Sequence, residues 1–308
     1  MSAAKRRVVF LGTPAVAARS LELLLGASAE RGGGGFEVAA VVAQPPARSG
    51  RKMKLTASPV QTLAEARGIE LLTPASAKEE AFLARLDELQ PDLCITAAYG
   101  CFLPQRFLDL PKFGTLNIHP SLLPLYRGAA PVQRCLEAGD PLTGVTVAFT
   151  VLAMDAGPVL RQVERPLGGD EMADELLLEL FEAGSEQLLD ALPSVWDGSC
   201  EAALAPQDGE RATKAAKVDA LNRLVKELMV ELPSTIGPCR ARKASDPADV
   251  PPRAPTPGRH LRPLSRQRML DDEHGAWWEE HLLLAGELRE HRNVGAAMVR
   301  RVRLYGRP

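Results

Sequence analysis

The chain has 308 residues, 45% of them hydrophobic and 25% charged, with a formal net charge of −2. No apolar run approaches the roughly 20 residues that cross a bilayer, and no whole-protein field draws nucleic acid or lipid, so any basic surface must be local. Five cysteines (Cys94, Cys101, Cys135, Cys200 and Cys239) are widely spaced, odd in number and lack Cys-x-x-Cys, which argues against a disulfide framework or a zinc site and suits a reducing compartment.

In chain order, the basic "MSAAKRR" is followed at once by the strand-like "VVFLG", which leaves no room for a cleavable signal and points to a soluble intracellular protein. "RVVFLGTP" and "AVAARSLELLLGA" predict a strand, a tight turn and a helix, the opening of a parallel α/β unit. "EVAAVVA" and "IELL" predict strands around the helix "SPVQTLAEARG", with Ser58 as N-cap and Pro59 at the first helical position. The helix "KEEAFLARLDELQ" leads to the strand "DLCITAAYG". "GTLNIHP" and "GVTVAFTVL" give two more strands, separated by the helix "AAPVQRCLEAG". "VLRQVERPL" alternates like an antiparallel edge, and "EMADELLLELFEAGSEQLLDAL" is a long amphipathic helix. The fold class is α/β, a doubly wound and mostly parallel sheet. Residues 1–205 form this domain, 206–236 a linker with the short helix "DALNRLVKELMVEL", and 237–308 a divergent basic region rich in Pro and Arg. There, 237–263 reads as loop or disorder and "WWEEHLLLAGELREH" as helix.

Three constellations bear on function. "LGTP" lacks the rest of a Gly-x-Gly-x-x-Gly fingerprint, no acidic residue ends the second strand, and "RGGGGFE" precedes a strand, so these are turn glycines rather than a dinucleotide site. "QPPARSGRKMKLTASP" places Arg48, Arg51, Lys52 and Lys54 in a connection longer than a strand-to-helix turn needs. It is either a solvated charge run or an arm reaching phosphates. The third is "TLNIHPSLLPLYRGAAP". Asn117 and His119, two apart, share one face of a strand whose carboxyl end borders a ligand crevice. Asp155, in "MDAGP" after the next strand, reaches the same edge if the two strands run parallel. An amide donor, an imidazole and a carboxylate are the parts of acyl transfer; a turn cap and a core histidine are the structural alternative.

"NIHPSLLPLYRGAAP", with "MDAGP", "VVFLGTP" and "AAYG" at 97–100, resembles the 10-formyltetrahydrofolate-dependent formyltransferases over residues 7–205. The basic loop and its "SPV" helix start look like the insertion that marks the methionyl-tRNA-directed branch; the glycinamide ribonucleotide branch shares the trio without the loop. The resemblance implies a Rossmann-like domain and direct transfer of formyl from 10-formyltetrahydrofolate to the amine of methionyl-tRNA, without a metal. Asn117 would hold the oxyanion, His119 would move the proton and Asp155 would set its charge. Ser121, Leu122, Leu123 and Pro124, with Tyr99 and Gly100, would line the folate site, and Arg48, Arg51, Lys52 and Lys54 would approach the tRNA. The family works in the bacterial cytoplasm or in mitochondria and plastids, and it carries a small C-terminal β-barrel where this chain has its divergent region. A small-molecule acceptor or water is an alternative, as is a folate- or RNA-binding homologue without turnover.

Overall fold

A computed structural model describes residues 5–29, 35–49 and 54–217. The expectations for 218–308, and those for Arg51 and Lys52, lie outside the described residues.

Alternation along the first strand sets up two cores. In β1 (Arg6–Gly12), Val8 and Phe10 enter one cluster while Val9 and Leu11 enter another. The chain continues through α1 (Ala15–Ala29), β2 (Phe36–Val42), the short strands β3 (Ala47–Ser49) and β4 (Lys54–Thr56), α2 (Pro59–Ala66) and β5 (Glu70–Leu72). Next come α3 (Glu80–Leu89), β6 (Leu93–Ala97), α4 (Gln105–Leu108), β7 (Thr115–His119), β8 (Arg127–Gly128), α5 (Pro131–Ala138) and β9 (Leu142–Phe149). β10 (Val159–Pro166), α6 (Ala173–Trp196) and β11 (Lys214–Ala215) complete the described elements. Helix α2 begins as its sequence predicts, with the Ser58 hydroxyl accepting from Gln61 N–H at 3.1 Å and Pro59 at the first position.

The main sheet has seven strands in the order β10-β9-β7-β6-β1-β2-β5. Pairs β1–β2, β1–β6, β2–β5 and β6–β7 are parallel. Residues of α1, α2, α5 and α6 join the first core, and those of α3 and α4 the second, so helices cover both faces. Fully buried Phe10, Phe36, Leu93 and Leu116 anchor this packing at about 1.5–3 kcal/mol each. No helix of the described residues is long and apolar enough to cross a membrane.

Two local expectations change. The basic connection is not simply a loop: Ala47 to Ser49 pair antiparallel with Lys54 to Thr56 as a small ladder. β9 runs antiparallel to β7, although a helix lies between them, so Asp155 does not arrive as the end of a parallel neighbour. The 150–158 loop between β9 and β10 carries it back to His119 instead.

Candidate active site

In β7, Leu116 and Ile118 enter the first core, which leaves Asn117 and His119 together on the opposite face. Thr96 of β6 stands in register with Asn117, and its hydroxyl donates to Asn117 Oδ1 at 2.7 Å. That bond engages the amide oxygen and leaves Nδ2, a two-proton donor, on a residue that is only partly buried. His119 is 5% exposed. Its Nε2 lies 3.0 Å from the Tyr126 carbonyl, which can only accept, so Nε2 carries a proton and the neutral ring keeps its lone pair at Nδ1. Nδ1 faces Asp155 Oδ2 at 4.0 Å, beyond a direct hydrogen bond. A proton arriving at Nδ1 therefore creates an imidazolium opposite a carboxylate.

Asp155 is held in a left-handed conformation, φ +48°. Its Oδ2 accepts from Gly128 N–H at 2.8 Å. Two residues on, a Cβ at Gly157 would sit 1.7 Å from the Phe149 carbonyl oxygen, so only glycine lets the loop close onto the end of β9. Gln207 bridges from beyond α6: Nε2 donates to the Asp155 and Gly157 carbonyls at 2.8 and 2.7 Å, and Oε1 accepts from Arg127 Nε and Nη2 at 3.0 and 2.6 Å.

The residues around Gln207, which composition marks as the start of a linker, run along the site. β11 pairs in parallel with β8, Ala215 is buried, and Tyr126 N–H donates to Thr213 Oγ1 at 2.8 Å. Tyr126 is itself left-handed, φ +60°, and its phenol donates to Asp140 Oδ2 at 2.6 Å. Burial, with that carboxylate second, pushes the phenol's pKa up and keeps it a donor.

Of the residues implied for folate, Ser121 and Leu123 are buried and spent on scaffolding. Ser121 Oγ donates to the Leu125 carbonyl at 2.7 Å, and Thr146 Oγ1 donates to the Ser121 carbonyl while accepting from Leu123 N–H. Leu122 and Pro124 keep open surface. Tyr99 is 4% exposed, its ring in the second core and its carbonyl accepting from Thr13 Oγ1 and Gln44 Nε2; Gly100 beside it is exposed. Arg48 and Lys54 are exposed on the β3–β4 ladder.

The arrangement brings together an oriented amide donor, an imidazole open at one nitrogen and a carboxylate, beside apolar surface: a donor for a developing oxyanion and a route for one proton. Sequence reasoning missed Thr96, the Tyr126 carbonyl, Gly128 N–H and Gln207. Thr96 had a signal, since a hydroxyl in the strand before Asn117 can pair with it in register. Gln207, within "PQDG", had none.

The profile of the family described as Formyl transferase matches residues 6–192, ending before Gln207. A methionyl-tRNA formyltransferase of Aromatoleum aromaticum is 43% identical over 218 residues, 71% of this chain and 66% of that protein. One of Saccharopolyspora erythraea is 44% identical over 203 residues, 66% of this chain and 64% of its own length. The chain thus spans about two thirds of the length of the curated relatives it matches. Among solved structures, glycinamide ribonucleotide transformylase 1 of Symbiobacterium toebii has a TM-score of 0.53 at 23% identity, covering 64% of this chain and 90% of that one. Phosphoribosylglycinamide formyltransferase of Brucella melitensis has 0.50 at 31%, covering 61% and 94%.

Proposed function

The chain belongs to the formyl transferase family, and from that premise we propose that it transfers the formyl group of 10-formyltetrahydrofolate to the amino group of methionyl-tRNA. The observation that carries this reading is Asn117, whose Oδ1 is tied to Thr96 and whose Nδ2 remains a donor beside His119 and Asp155. The exposed basic ladder bearing Arg48 and Lys54 favours a polyanionic acceptor over a small amine.

In this reading the amine attacks the formyl carbon and the carbonyl oxygen gains negative charge. Asn117 Nδ2–H donates to that oxygen, a term worth about 3 kcal/mol for one such donor. The amine loses a proton, which His119 accepts at Nδ1 opposite Asp155. The tetrahedral species then collapses, the C–N bond to the folate breaks, and the departing N10 takes up the proton that His119 Nδ1 received, which returns the imidazole to its neutral form. Holding both substrates together supplies a further share of the barrier reduction. Leu122 and Pro124 provide apolar surface for the folate, and Gly100, exposed after β6, adds no side chain to the cleft.

The test is a formyl-transfer assay with the full chain, 10-formyltetrahydrofolate and charged initiator tRNA. Formylmethionyl-tRNA formed at catalytic rates is the expected result. Transfer to glycinamide ribonucleotide or water instead would replace the acceptor, and donor binding without turnover on any of them would overturn the enzymatic reading.

A further inference from the structure

We propose that Gln207 is the positioning residue that sets the spacing between His119 and Asp155; the inference rests on the formyl-transfer reading of this site. One side chain holds both walls of the pair. Its Nε2 grips the Asp155 loop at two carbonyls, 2.8 Å to Asp155 and 2.7 Å to Gly157. Its Oε1 grips Arg127 of β8 at two guanidinium nitrogens, 3.0 and 2.6 Å away. Arg127 lies between Tyr126, whose carbonyl fixes His119 Nε2, and Gly128, whose N–H fixes Asp155 Oδ2.

The chemistry permits only a glutamine-like amide in this orientation. Carbonyls only accept and a guanidinium only donates, so a flipped amide would oppose like dipoles at all four contacts. Glutamate would keep Arg127 but set a carboxylate against two carbonyl oxygens. Leucine, of similar size, would release both sides. Asp155 needs this support because a non-glycine residue at φ +48° sits in the sparsely populated left-handed region and is kept there by its surroundings. The loop is also held by Gly157 against Phe149 and by Gly128 N–H on Asp155 Oδ2, and Gln207 adds the tie to the Arg127 side chain between these two anchors.

The experiment compares the full-length protein with Gln207→Leu and Gln207→Glu, measuring kcat, the KM for the formyl donor and amide exchange of peptides covering 151–158. We expect kcat to fall by about 10- to 100-fold, as for a catalytic group displaced by an ångström. The donor KM should stay within about threefold, since Leu122 and Pro124 are not part of the bridge. Exchange should accelerate in 151–158 and not in β1 or β6. In an Asp155→Asn background, Gln207→Leu should add little further loss, because both changes act on one group. Wild-type kcat in both variants, full additivity with Asp155→Asn, or unchanged exchange in 151–158 would overturn the proposal. If Gln207→Leu fails to fold, Gln207→Glu decides by the same criteria. An unsubstituted protein inactive on every acceptor defeats the functional reading instead, while the exchange measurement still reports on the bridge.

Discussion

Two regions follow strands of the main sheet, and they are built on opposite principles. Around His119, backbone and side-chain groups of four segments interlock: the end of β7, the turn at 126–128, the loop at 150–158 and the strip at 206–215. The β3–β4 ladder after β2 is the reverse, with exposed Arg48 and Lys54 and Leu55 64% exposed. Chemistry at a developing charge needs dipoles fixed beforehand, whereas contact with a phosphate chain needs charge and reach. The contrast predicts that substitutions in the first region act on turnover, and those in the second on affinity.

The largest effect belongs to Asn117→Ala. Removing the one amide whose acceptor oxygen is already committed to Thr96 should lower kcat by about 10²–10³, with folate binding and melting little changed. Wild-type turnover in this variant would break the comparison at its root. Gly157→Ala comes next. Its Cβ would meet the Phe149 carbonyl at 1.7 Å, and because that neighbour is backbone the loop must move, carrying Asp155 with it. Turnover should drop at least about tenfold, in the range of a one-ångström misplacement. A crystal structure of the variant with Asp155 still facing His119, or unaltered kcat, would show the closure to be dispensable.

On the ladder, Arg48→Ser with Lys54→Ser should leave kcat at saturating tRNA unchanged and raise the KM for methionyl-tRNA several-fold. The salt dependence of that KM should flatten, since each lost phosphate contact removes about 0.7–0.9 from the logarithmic slope. A fall in kcat with constant KM would erase the distinction between the two regions.

Much of this was legible in the sequence. Alternation in "TLNIH" puts Leu116 and Ile118 inward and Asn117 and His119 on one face, and the structure keeps that pattern because the first core needs both apolar residues. Ser58-Pro59 marked the start of α2 for the same local reason. Strand direction was not legible. "GVTVAF" is equally apolar whichever way it runs, and a connection containing a helix usually returns parallel; the antiparallel β7–β9 pairing is a tertiary outcome. Nor were groups that exist only once the backbone is placed, such as the Tyr126 carbonyl at φ +60° and the Gly128 N–H. Gln207 sits among Pro, Asp and Gly, a composition that reads as linker because local sequence carries no record of what a side chain will bridge.

The smallest expected effect separates tight hydrogen bonding as such from the chemistry. Glu171, in the turn between β10 and α6, is as thoroughly engaged as any group near His119. Gly168 N–H donates to its Oε1 at 2.7 Å, Gly169 N–H to Oε2 at 2.9 Å, and Arg165 Nη1 lies 2.9 Å from Oε1. Burial opposes its ionisation, but the backbone donors and Arg165 outweigh it and bring the pKa from 4.5 down to about 2. A carboxylate depressed in the folded state contributes stability that is present above pH 4.5 and lost as pH falls through 2. Glu171→Gln should therefore lower Tm at pH 7 by about 2–4 °C, the shift expected for a loss of about 1 kcal/mol in a domain of this size. The two melting curves should converge as pH approaches 2, while kcat at pH 7 stays at the wild-type value. Parallel curves down to pH 2 would show that the carboxylate's charge contributes nothing. A drop in kcat would mean that rigidity anywhere in the domain reaches the site, and the contrast between the interlocked loops and the exposed ladder would then lose its chemical meaning.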